Sequence, residues 1–224
     1  MSRVVILLSG GLDSTTTAAI AKNEGHELFA LTIDYGQRHR IEIEAAKRVA
    51  EHIGVAKHVI VPVDLRLFGG SSLTSSMEVP KDVPSEQIGT IVPNTYVPAR
   101  NTIFLALALA YAESVGAEKI YIGISSVDYS GYPDCRPEFL SAFNVLANWA
   151  TKSGTEHSPV VIEAPLMSLT KSETIQRGLA LGVDYSLTFT CYDPSPEGKG
   201  CGRCESCQLR RRAFCEAGIP DPAD

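Results

Sequence analysis

Short apolar runs alternate along the chain with longer stretches whose apolar residues recur at helical spacing. Residues 4–8 (Val-Val-Ile-Leu-Leu) are apolar without a polar break, the pattern of a strand buried on both faces. A helix is expected over 14–24, with Asp13 near its start and Gly25 at its end. Strand patterns follow at 28–33, 58–63, 120–124 and 160–164. Between them, residues 41–53 place Ile41, Ala45, Val49 and Ile53 on one helical face, and Gly54 stops the pattern. Residues 100–115 are nearly all apolar, which predicts a helix buried on several sides. Residues 137–150 open with a proline suited to the first turn of a helix. Residues 170–181 begin Thr-Lys-Ser-Glu, a capping box.

Strands alternating with helices predict an α/β fold: a doubly wound, parallel, five-stranded sheet covered on both faces by right-handed crossovers. The stretch 69–96 breaks the alternation and is rich in Ser, Pro and Gly, as a lid or a disordered loop would be. From residue 190 onward the chain changes character, with Cys, Gly and Arg dominating. The expected division is therefore 1–189, an α/β domain, and 190–224, a metal-stapled motif packed on it.

Hydrophobic residues make up 44% of the 224 and charged residues 21%, ordinary values for a globular chain. The net charge of −6 argues against gripping a nucleic-acid backbone, which needs clustered Lys and Arg. Arg210, Arg211 and Arg212 are the dense basic run, and such a run reads as a solvated helix face. The N-terminal apolar run, residues 4–8, is too short for a signal core, and no stretch reaches the length of a membrane span, so a cytoplasmic location without a membrane partner is expected. In that compartment six cysteines read as metal ligands or free thiols.

The sharpest local signal is Ser9-Gly10-Gly11-Leu12-Asp13-Ser14, set between the first strand and the first helix. Glycines let the backbone turn tightly and approach a ligand. The helix N-terminus behind them offers unpaired N–H groups and partial positive charge, and the two serines add hydroxyls. The string cradles phosphate, yet it lacks the Walker lysine and the spaced glycines of dinucleotide binders. A doubly wound sheet binds its ligand where strand order reverses, which puts the ends of the first and fourth strands together and makes residues 123–128 the facing wall. Cys191, Cys201, Cys204 and Cys207 have the spacing C-x9-C-x2-C-x2-C. Four thiolates at that spacing suit structural zinc, with an iron–sulfur cluster as the alternative. Cys135 and Cys215 lie outside the set; a lone cysteine is more often structural than nucleophilic.

The loop resembles that of the PP-loop ATP pyrophosphatase superfamily. Further strings narrow the resemblance: residues 34–39 (Asp-Tyr-Gly-Gln-Arg-His), 97–101 (Val-Pro-Ala-Arg-Asn), 128–136 (Asp-Tyr-Ser-Gly-Tyr-Pro-Asp-Cys-Arg), 165–167 (Pro-Leu-Met) and 188–192 (Thr-Phe-Thr-Cys-Tyr). Together with the cysteines they resemble the 7-cyano-7-deazaguanine synthase family of queuosine biosynthesis, with Ala99 standing where that family frequently has glycine. The resemblance implies conversion of 7-carboxy-7-deazaguanine and ammonia to the nitrile, driven by ATP, in a homodimer containing Mg²⁺ and Zn²⁺. Free ammonia is the expected donor, since no glutaminase-like half is visible. Another PP-loop enzyme, such as a tRNA thiolase or an amide synthetase, is the alternative.

The resemblance also implies residue roles. Leu8, Ser9, Gly10, Gly11, Leu12, Asp13, Ser14, Thr15, Thr16, Thr17 and Ala18 would hold ATP, with Asp13 helping to place Mg²⁺. Ser9, Asp13, Arg100 and Lys171 form the expected catalytic group. Arg100 would meet the substrate carboxylate or a phosphate, and Lys171 would reach the phosphates. Tyr132 and Asp134 would read the deazaguanine ring. His39 is either a base or a loop-fixing donor.

Overall fold

Strand β1 (Arg3–Leu7) is buried from Val4 onward and sits at the centre of the sheet. The structure is a computed structural model and describes residues 1–84, 86–127 and 131–223. Its strands are β1, β2 (Glu27–Asp34), β3 (Lys57–Pro62), β4 (Lys119–Tyr121) and β5 (Val161–Glu163), in the order β3-β2-β1-β4-β5. All neighbours pair in parallel, and Val5 stands opposite Phe29 on one side and Ile120 on the other. The five strands and their parallel pairing are those read from the pattern.

Alternation along β1 divides the core in two. Val5 and Leu7 point to a layer completed by α3 (Arg100–Val115) and α4 (Pro137–Ala150). Val4 and Ile6 point to the opposite layer, under α1 (Leu12–Asn23) and α2 (Ile41–Ile53). Helix α2 ends as expected at Gly54, whose φ of 73° needs the left-handed region. Helix α3 differs from expectation: Leu105, Ala108, Leu109 and Ala112 are buried, while Thr102, Ala106 and Ala110 face outward. Alanine raises the apolar count of a helix without demanding burial, and that is why composition misjudged its outer face.

A four-residue helix α5 (Lys152–Thr155) precedes β5, and α6 (Lys171–Ala180) follows with its capping box formed by Thr170 and Glu173. The last helix, α7 (Glu205–Glu216), was not expected. Its Ala213 and Phe214 pack with Ile175 of α6 and with Tyr185. Arg210 corrects the reading of the arginine run as solvated: it is 7% exposed, while Arg211 and Arg212 are exposed. Its guanidinium donates to Asp221 Oδ2 at 2.6 Å and to Thr188 Oγ1 at 2.8 Å.

The segment 69–96 is irregular but held. Ser71 and Ser72 are fully buried, and Leu73 and Val79 join the core. Lys81 bridges to Cys204 and pairs with Asp193 at 2.9 Å; Asp82 N donates to Arg203 O at 2.8 Å. The segment is thus clipped to the cysteine-rich unit. Among the described residues no helix is long and apolar enough to cross a membrane.

Candidate active site and metal centre

The turn after β1 is closed by its own hydroxyls. Ser14 Oγ donates to Gly11 O at 3.1 Å and lies 3.0 Å from Ser9 Oγ, which accepts from Gly11 N at 3.3 Å. No side chain caps α1 at Gly11, so its first-turn N–H groups face outward for an anion. Two glycines make the placement possible. A Cβ on Gly10, where φ is +79°, would lie 2.4 Å from Ala46 N of α2. A Cβ on Gly123 would lie 2.9 Å from Ser14 N, so the end of β4 also abuts the turn. Residues 128–130 of the expected facing wall and family string lie outside the described residues.

A cleft of about 200 Å³ opens at the carboxyl ends of β1 and β4, the point where strand order reverses. Leu8, Ser9, Gly11, Leu12, Asp13 and Ser14 line one side. Arg100 and Phe104 of α3, Glu42 of α2, Tyr35 and Tyr132 line the rest, with Phe189, Thr190 and Tyr192 from the later segment. Phe189 N donates to Gly10 O at 2.9 Å, tying that segment to the turn. Gly10 contributes spacing rather than surface. Thr16, Thr17 and Ala18 are fully buried beneath the turn, and Thr16 Oγ1 lies 2.7 Å from the Tyr185 hydroxyl. Thr15 lines a second hollow between α1 and α2.

Asp13 and Lys171 meet: Lys171 Nζ donates to Asp13 Oδ1 at 2.8 Å and Oδ2 at 2.6 Å. The capping box of α6 presents Lys171 at the first helical position. Arg100 lies across two rings, 5.7 Å from the centre of Tyr35 and 5.9 Å from that of Phe104. Burial opposes its charge, but the Tyr35, Tyr192, Tyr132 and Asp134 oxygens outweigh that and raise its pKa. Burial pushes Tyr35 and Tyr132 above the ordinary phenol value.

Asp134 does not line the cleft. Its Oδ2 accepts from Asn101 N at 3.0 Å and its carbonyl accepts from Asn101 Nδ2 at 3.0 Å. These two bonds tie Asp134 to the start of α3, next to Arg100. Cys135 is buried with its thiol pushed up to about 12 by burial, the behaviour of a structural cysteine. His39 lies outside the cleft lining.

Sequence reasoning missed Glu42, whose carboxyl burial raises to about 7. It stands among the polar positions of an amphipathic helix, and no local pattern separates it from a solvated glutamate. Tyr35 and Gln37 lay inside a quoted string without a role; Gln37 Oε1 accepts from Tyr35 N at 3.0 Å and fixes that turn.

The four cysteines do converge. The sulfurs of Cys191, Cys201, Cys204 and Cys207 all lie within 4.8 Å of one another. Tetrahedral zinc with bonds of about 2.3 Å holds sulfurs at that kind of separation. Backbone N–H groups support them: Cys201 N donates to Cys191 Sγ at 3.1 Å and Cys204 N to Cys201 Sγ at 3.3 Å. Such donors favour thiolates, so the residues fit a metal ion.

Residues 3–218 match a family model described as "Queuosine biosynthesis protein QueC". The 7-cyano-7-deazaguanine synthase of Desulfatibacillum aliphaticivorans is 57% identical over 221 residues, spanning 98% of this chain and 95% of that protein. The protein of the same name from Paramagnetospirillum magneticum is 57% identical over 224 residues, spanning 100% and 99%. Among solved structures, the NMN synthetase of Francisella tularensis aligns at a TM-score of 0.50 and 16% identity over 98% of this chain and 78% of that one. A predicted subunit of tRNA methyltransferase from Methanocaldococcus jannaschii aligns at a TM-score of 0.51 and 16% identity over 100% of this chain and 91% of that one. At that identity the two structures share the fold alone.

Proposed function

Because the chain belongs to the QueC family of queuosine biosynthesis, whose relatives named above are 7-cyano-7-deazaguanine synthases, we propose that its cleft converts 7-carboxy-7-deazaguanine and ammonia to 7-cyano-7-deazaguanine at the expense of ATP. One observation carries the reading at the level of the site: an uncapped, glycine-tight phosphate turn and a ring-stacked arginine face each other across one cleft. The chemistry needs that pairing. Acid to amide and amide to nitrile each remove an oxygen that leaves poorly from carbon, and transfer of that oxygen to phosphorus makes it a good leaving group.

Ser9, Gly11 and Ser14, with the first-turn N–H groups of α1, hold the polyphosphate and stabilise the charge it gains as it departs. Asp13 would hold Mg²⁺ beside it, and the ion supplies charge neutralisation on the phosphates. Lys171 balances the Asp13 charge and, from the start of α6, would reach the phosphates. Arg100 takes the substrate carboxylate in its planar fork, with Tyr35 and Phe104 fixing its plane. Tyr132 lies along the ring, and Asp134 acts through the position of α3.

Zn²⁺ on Cys191, Cys201, Cys204 and Cys207 is structural, since four protein ligands leave no open position. The working division is an α/β domain over 1–189 and the zinc unit over 190–224. A cytoplasmic location and a homodimer complete the proposal. Val145, Leu146 and Trp149, exposed together on α4, support self-association, and sedimentation equilibrium tests it. The function itself is tested by mass spectrometry of products from the acid, ammonium and Mg²⁺–ATP. The nitrile is expected; return of the acid unchanged by folded, zinc-loaded protein contradicts the reading.

A further inference from the structure

Among the described residues lining the cleft, Glu42 is the carboxyl group that has no part in the roles given so far. It belongs to the first turn of α2 and is partly buried where it lines the cleft. Its position is fixed by the phosphate turn. A Cβ on Gly10 would lie 2.7 Å from Glu42 O, so α2 and the turn are in backbone contact at this residue. Across the cleft, the Arg100 charge acts on it, and its own charge acts on Tyr35. A substrate carboxylate held by Arg100 and activated from the turn would lie in the cleft that Glu42 also lines.

We propose that Glu42 is the general base of the reaction, accepting a proton from the reacting nitrogen in each stage; the inference rests on the function proposed above. In the first stage the ammonia lone pair forms the C–N bond to the activated acyl carbon. The C–O bond to phosphorus-bound oxygen breaks, its electron pair leaves with the nucleotide phosphate, and the cationic nitrogen gives one proton to the Glu42 carboxylate. In the second stage the amide oxygen has been activated in the same way. The iminium so formed gives one nitrogen proton to solvent, and the remaining nitrogen proton passes to Glu42 as the freed pair completes the carbon–nitrogen triple bond and the C–O bond breaks toward phosphate. Each stage leaves the carboxyl protonated, and it loses that proton to solvent before the next.

The surroundings suit a group working near neutral pH. Burial disfavours the charged carboxylate, and the Arg100 charge only partly offsets it, leaving the pKa at about 7. Among the described residues, the other titratable or charged groups lining the cleft are Asp13, Tyr35, Arg100, Tyr132, Cys135 and Tyr192. Asp13 is held by Lys171. Tyr35, Tyr132, Cys135 and Arg100 are all shifted upward, away from neutrality. An alternative duty for Glu42, accepting the ring amino hydrogens of the deazaguanine, predicts a different result.

The full, zinc-loaded chain and its Glu42→Gln variant are compared with the acid, Mg²⁺–ATP and either ammonium or hydroxylamine. Hydroxylamine traps the activated acyl group, and its weakly basic adduct loses a proton to water without a positioned base. The variant is expected to form hydroxamate within about 3-fold of the parent rate, while ammonia-dependent kcat falls by about 10²- to 10⁴-fold. KM for the acid should stay unchanged. At fixed free ammonia the parent rate should rise with pH through about 7, and Glu42→Gln should lack that rise. Glu42→Asp should restore part of the ammonia-dependent rate. Nitrile formation by Glu42→Gln at the parent rate overturns the proposal, as does a raised KM for the acid with both nucleophiles, which assigns Glu42 to ring binding. Absence of hydroxamate from the parent itself removes the underlying function together with the proposal.

Discussion

Backbone conformation at two small residues separates what the site tolerates from what it requires. Ala99 precedes α3 with φ of +54°, a left-handed conformation that costs an L side chain about 1–2 kcal/mol. Glycine, which the resemblance leads one to expect at this position, takes that conformation without the penalty. Ala99→Gly is expected to raise stability by roughly 0.5–1 kcal/mol, the relief being partly offset by the freer unfolded chain. Gly10→Ala has the opposite sign. It combines the same strain with a 2.4 Å approach to Ala46 N, so α2 must shift. A loss of more than about 2 kcal/mol is expected, with nucleotide binding lost as well. Thermal unfolding of both variants with and without ATP reads the pair; equal small effects would show that the turn is not locked against α2. The turn itself was legible because its chemistry is local. The burial of Glu42 and the contact of Asp134 were not, because distant parts of the chain decide them: Asp134 lies 33 positions from the backbone N–H it accepts from.

Elements with a clean period were read to within a few residues, as with α2 and its Gly54 stop. Misjudged elements lacked that contrast. In α3 alanine blurred the two faces, and in α7 the charged residues hid an apolar set of Leu209, Ala213 and Phe214. The segment 69–96 has no period at all, since its order comes from contacts outside itself. Lys81, Asp82 and Val83 are bound by Asp193, Arg203 and Gln208 of the cysteine-rich unit. Zinc would therefore set the order of a segment more than a hundred positions away in sequence. Chelation should speed tryptic cleavage after Lys81 by at least about 10-fold, and added zinc should reverse it. An unchanged cleavage rate would show that the clip holds without metal.

At the scale of the whole molecule, the parallel sheet brings the ends of β1 and β4 together, and the later segment closes the cleft through Phe189 on Gly10. Burying a carboxyl whose pKa is raised to about 7 runs against stability. A raised carboxyl favours the folded state below its unfolded value, and that contribution is lost as pH rises through about 7. Glu42 therefore weakens the fold at the pH where a base is useful, as groups at working sites often do.

The central claim is that one cleft activates the same carbon twice, through its acid oxygen and then its amide oxygen. Substrate acid labelled with ¹⁸O at both carboxylate positions tests it most directly. Both labels should appear on phosphate, in AMP or in inorganic phosphate, as each nitrile forms. Release of either label into water during nitrile formation would contradict the account.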